Sequence, residues 1–85
     1  QELGVYEEAL AVYRKALDLN PRAFTIYNSI ANCFRRQAAH GEALHWYRKA
    51  LEVWPDFAEA LNNVGVTLQD MGRMAEAVPY FERAL

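Results

Sequence analysis

The sequence predicts an all-α fold, an α-solenoid of antiparallel helical hairpins, and three observations predict it. A shift of 34 residues superposes the chain on itself: Pro21 falls on Pro55, Ala9 on Ala43 and Ala77, Tyr13 on Tyr47 and Phe81, Ala16 on Ala50 and Ala84, and Leu17 on Leu51 and Leu85. Within each period, apolar and small residues recur at spacings of three and four, the stripe of an amphipathic helix. Each period is punctuated by a proline, which cannot continue the preceding helix and biases Asn20 and Trp54 toward extended backbone.

These signals place five helices, at roughly residues 5 to 19, 22 to 37, 41 to 53, 56 to 71 and 74 to 85. The first carries Ala9, Tyr13, Ala16 and Leu17 on one face. The second carries Tyr27, Ile30, Ala31 and Phe34, with Cys33 at the edge of that face, where a lone thiol behaves as a small hydrophobe. A turn over Gln37 to Gly41 leads to the third, with Ala43, Leu44, Tyr47, Ala50 and Leu51. Leu61, Val64, Gly65 and Leu68 line the fourth. A turn around Gly72 leads to the fifth, with Ala77, Val78, Phe81, Ala84 and Leu85. Glu7, Glu8, Glu42 and Glu76 fall early in the helices that follow the turns, where carboxylates complement the helix dipole. Pro79 breaks the pattern, because it lacks a donor for the carbonyl of Ala75; the fifth helix is expected to start near Val78 or to bend there. Trp54, before the repeat proline, is expected to pack across the junction into the core.

The 85 residues amount to two and a half periods: 1–20 as the second half of one unit, 21–54 as a whole unit and 55–85 as a unit short of its end. A stable array normally needs about three repeats. The expectation is therefore a piece of a longer solenoid, or a chain that completes its core by pairing with another copy.

Composition narrows the function. A hydrophobic share of 53% against 24% charged is too apolar for a disordered tail, yet no apolar run approaches the length of a membrane span. Nine Lys plus Arg against eleven Asp plus Glu give a net charge of −2, the reverse of a nucleic-acid footprint. Partners are expected to be proteins, with no nucleic acid and no membrane. Cys33 has no second cysteine to pair with, and His40 and His45, five apart on a helix, diverge, so no metal site or cofactor is expected. No phosphate loop, Ser/His/Asp set or HExxH pattern is present, so the segment is read as non-enzymatic. Gln1 to Gly4 show no targeting signal; the cytoplasm or nucleus is favoured.

The alternation of small and aromatic residues explains the packing: alanine or glycine permits close helix crossing, and a ring from the neighbour fills the adjoining gap. A 34-residue helix-turn-helix period with Ala-x3-aromatic at Ala9 and Tyr13, Ala43 and Tyr47, and Ala77 and Phe81, closed by Pro21 and Pro55, resembles the tetratricopeptide repeat family over the whole chain. The 35-residue pentatricopeptide array that reads RNA fits less well, in spacing and in charge. The resemblance implies that the first helix of each unit lines the concave side of a superhelix, where an extended peptide of a partner lies.

On that face the middle unit offers Thr25, Asn28, Ser29, Asn32, Arg35 and Arg36, and the last offers Glu59, Asn62, Asn63, Val66, Gln69 and Asp70. Asparagine amides carry donors and an acceptor and can grip a peptide backbone whatever its sequence. The charges are expected to be split, Arg35 and Arg36 at one end and Glu59 and Asp70 at the other, with an acidic partner segment nearest the arginines. Asn32 and Asn63 resemble the asparagines of domains that clamp the C-terminal carboxylate of heat-shock chaperones, but Asn28 stands where that clamp has a lysine. The sequence thus points to a protein-interaction scaffold. Its alternatives are a self-associating module, joined through exposed terminal helices, and the targeting arm of an enzyme encoded elsewhere in a longer chain.

Overall fold

The computed structural model describes residues 2–85, with side chains from Gly4 onward, and Gln1 lies outside the described residues. The described residues form five helices: α1 (Glu2–Leu19), α2 (Phe24–Arg36), α3 (His40–Val53), α4 (Ala58–Asp70) and α5 (Met74–Ala84). α2 pairs with α3 and α4 with α5 as hairpins. α1 packs on α2, and α3 on α4, so the hairpins stack into a slab of 35 × 28 × 16 Å.

The two hairpin turns are built alike. Ala38 (φ 61°) and Gly72 (φ 76°) occupy the same column of the repeat, and both adopt the left-handed conformation that closes a helix. After α2, the Ala38 amide bonds the Arg35 carbonyl and the Ala39 amide bonds the Phe34 carbonyl, each at 2.9 Å. After α4, the Gly72 amide bonds Gln69 at 2.9 Å and the Arg73 amide bonds Leu68 at 2.8 Å. Each pair satisfies carbonyls that the ending helix would otherwise leave open.

The small residues of the repeat sit at the helix crossings. Ala31, Ala43, Ala50, Ala60 and Ala77 are all 0% exposed, and Ala31, Ala43 and Ala77 share one cluster with Leu44, Tyr47, Val64 and Leu68. A second cluster of Leu10, Ile30 and Cys33 joins α1 to α2. Burial lifts the Cys33 thiol pKa above its ordinary value, an effect the nearby Arg36 charge partly opposes.

Two sequence expectations change. α5 does not start near Val78. It begins at Met74, because the amides of Glu76 and Ala77 bond the Arg73 carbonyl and Ala77 is locked in the core. Pro79 and Ala75 are both exposed. Trp54 does cross the repeat junction, stacking on Phe57 at 5.4 Å and meeting the edge of Phe24 at 5.0 Å, but it remains 44% exposed and is not a core residue. Its extended backbone (φ −137°) turns the ring outward from the end of α3.

Candidate functional site

α2 and α4 present their polar faces side by side. Three side-chain bonds join them, between residues 31 or 35 positions apart. A nearly constant offset close to one period means that the two helices run in the same direction.

The centre of the face is a connected set of amides. Asn28 Nδ2 donates to Glu59 Oε2 at 2.9 Å, and Asn28 Oδ1 accepts from Asn63 Nδ2 at 3.2 Å. Asn63 Nδ2 also donates to Asn32 Oδ1 at 3.4 Å, and the same oxygen accepts the Tyr47 hydroxyl. Tyr47 is 0% exposed, so its hydroxyl requires a partner inside the protein, and Asn32 supplies it. Burial raises the Tyr47 pKa, and the nearby charges of Arg35 and Arg36 oppose the rise. Thr67 is itself buried and donates to the Asn63 carbonyl at 2.8 Å, which steadies the backbone beneath the amide.

The predicted site residues separate into three groups. Asn28, only 3% exposed, lies under the face rather than on it and serves to join α2 to α4. Asn32, Asn63, Val66, Ser29 and Arg35 are half-buried and form the floor; Arg35 Nε is a buried donor without a partner. Thr25, Arg36, Glu59, Asn62, Gln69 and Asp70 are exposed. The expected split of charge between the two ends is corrected by the parallel helices. Arg35, Arg36 and Asp70 lie at the C-terminal ends of α2 and α4, and Glu59 alone marks the other end. The division of charge therefore runs across the face, cations on α2 and acids on α4.

Tyr47 is the residue that the pattern of apolar stripes does not single out, because it occupies a core column. The signal was available: a hydroxyl stands here where Phe81 stands one period later, and Asn32 stands where Val66 does. Two open clefts, of about 500 and 330 Å³, use none of the candidate residues; the first lies among α1, α2 and the start of α3, the second between α3 and α5. Among the described residues, no helix is long and apolar enough to cross a membrane.

Family models described as tetratricopeptide repeat match residues 1–56 and 57–85, and the chain belongs to the tetratricopeptide repeat family. The repeats of this family are in general non-catalytic modules of protein interaction, and membership supports a protein-interaction scaffold in general terms. No curated protein matches the chain at a significant level. Among solved structures, a crystal structure of MamA superposes with a TM-score of 0.87 at 24% identity, covering 96% of this chain and 48% of that one. A second MamA structure gives 0.85 at 26% identity, over 94% and 44%, and MamA MSR-1 gives 0.83 at 22%, over 96% and 47%. The chain thus spans about half the length of these structures, and the likeness establishes the fold.

Proposed function

We propose that the chain holds an extended segment of a partner protein along the face shared by α2 and α4, within the units 21–54 and 55–85. The observation that carries this reading is which amide atoms the internal bonds leave unused. Asn32 Oδ1 already accepts two bonds and Asn63 Nδ2 already donates two. Asn32 therefore has its Nδ2 donors to offer and Asn63 its Oδ1 acceptor, side by side on neighbouring helices. One residue of an extended peptide fits this pair, its carbonyl accepting from Asn32 and its amide donating to Asn63. Internal bonds fix both amides in place, so little side-chain entropy is lost when the partner binds.

Around this grip, exposed Asn62 offers a complete amide and Arg36 a cation, with Arg35 beneath it. An acidic side chain of the partner meets Arg36, and a basic one meets Glu59 or Asp70. The test is a peptide library displayed against the folded chain, followed by fluorescence anisotropy of the selected peptides. Asn32→Ala and Asn62→Ala are expected to weaken binding, and Arg36→Glu to weaken acidic peptides most. Unchanged affinity in all three folded variants rejects the reading.

A further inference from the structure

The amides on the face shared by α2 and α4 all turn the same way, and the reason is Glu59. A side-chain amide keeps its shape when turned over, so which end meets a neighbour is set by what that neighbour can do. The Glu59 carboxylate can only accept, and Asn28 turns its Nδ2 toward it at 2.9 Å. Asn28 then has only its Oδ1 for Asn63, which must answer with Nδ2, at 3.2 Å. That nitrogen reaches on to Asn32 Oδ1 at 3.4 Å, and the buried Tyr47 hydroxyl donates to the same oxygen. One carboxylate at the start of the row therefore orients Asn28, Asn63 and Asn32 together.

The atoms left over, the donors of Asn32 and the acceptor of Asn63, are of opposite kinds and lie on different helices. In extended backbone the N–H and C=O of one residue point to the same side, as in the residue pairs of an antiparallel ladder that exchange both bonds. The amide precedes the carbonyl along the chain. A residue that donates to Asn63 and accepts from Asn32 therefore has its N-terminal side over α4 and its C-terminal side over α2. The charges follow the same axis: exposed Asp70 and Arg36 occupy one column of the repeat, the acid on α4 and the cation on α2.

We propose, on the basis of the backbone grip described above, that this face takes its partner in one direction only, entering over α4 and leaving over α2, with the Glu59 carboxylate as the positioning group. Helices at the usual spacing of about 8–10 Å are spanned by about three residues of extended chain. The segment that suits the face thus carries a basic residue about three positions before an acidic one, meeting Asp70 and Arg36 in turn.

Two capped peptides of identical composition test this polarity on the folded chain. One carries two lysines, an Ala-Ser spacer and two aspartates in that order, and the other carries the same residues reversed. A face without direction would let either peptide turn round to match its charges, and the two would bind equally. Fluorescence anisotropy is expected to show the lysine-first peptide binding about fivefold tighter. A nitroxide at its C-terminal end is expected to broaden NMR signals near Arg36 more than those near Asp70. Glu59→Gln puts a neutral amide, able to donate as well as accept, at the start of the row, so the preference between the peptides is expected to disappear. Equal binding to the wild-type chain overturns the proposal and leaves the grip standing. A preference that survives Glu59→Gln overturns the role of Glu59. If neither peptide binds and no amide signal of α2 or α4 moves, the grip itself falls and the polarity with it.

Discussion

In the hairpin α2–α3 the ring of the second helix is Tyr47, wholly buried, with its hydroxyl donating to Asn32; in α4–α5 the same columns hold Phe81 and Val66, which need no such bond. The first helix answers the second in each case. Beside Tyr47 the crossing residue is Ala31, whereas beside Phe81 it is Gly65, where an added Cβ would come within 2.5 Å of the ring. The turn also differs, Ala38 holding a left-handed conformation that Gly72 adopts without strain. One template therefore accepts two sets of parts, provided that each set is changed together. The hairpin that carries the polar pair is the one whose core reaches into the amide face.

Exchanging parts between the hairpins tests that lesson. Gly65→Ala should give the largest effect. Alanine favours a helix by about 1 kcal/mol over glycine, but overpacking against Phe81 typically costs about 1–3 kcal/mol, so a net loss is expected in thermal or urea unfolding. A stabilised variant would show that the ring moves aside freely. Tyr47→Phe removes one hydrogen bond of the amide set and should cost about 1 kcal/mol. Adding Asn32→Val, which copies the pair of the later hairpin, should recover part of that loss, and a double-mutant cycle with no coupling would break the comparison.

The turns should respond in opposite directions. Ala38→Gly relieves the left-handed strain and is expected to stabilise by about 1 kcal/mol, whereas Gly72→Ala should destabilise by a similar amount. Equal signs in urea titrations would mean that the two turns are not equivalent.

The smallest effect is on pH. Burial raises the pKa of both Cys33 and Tyr47, so the fold favours their protonated forms. Their contribution is complete below the ordinary values of 9.0 and 10.0 and is lost as pH rises through the higher folded-state values. The corresponding residues of the later hairpin, Thr67 and Phe81, have no such titration. Tyr47→Phe should therefore flatten the loss of stability above pH 10.0, and a slope identical to that of the wild type would exclude Tyr47 as its source.

The repeat made the helices and their order legible, because a 34-residue period constrains many columns at once and the stripes fall at helical spacing. Asn28 and Asn62 show where that legibility ends. They share a column and a residue type, yet Asn28 is buried and Asn62 is exposed. The difference comes from the neighbour: α4 lies against Asn28 through Asn63 and Glu59, while Asn62 stands on the open side of α4. Trp54 was misplaced for a related reason. A local rule stated what its backbone disfavours, while its place at the extended end of α3 left it 44% exposed.

The sequence by itself determined the class of fold, the helices to within a few residues, and the polar stripes of α2 and α4, since all of these follow from periodicity along the chain. Only the tertiary structure decided which polar atoms remain available. Each amide has few donors and acceptors, and whether Asn28, Asn32 and Asn63 spend them on a partner or on one another depends on the parallel approach of α2 and α4 and on the buried hydroxyl of Tyr47. Hydrogen-bonding capacity is local chemistry, but its satisfaction is a property of neighbours distant in the chain.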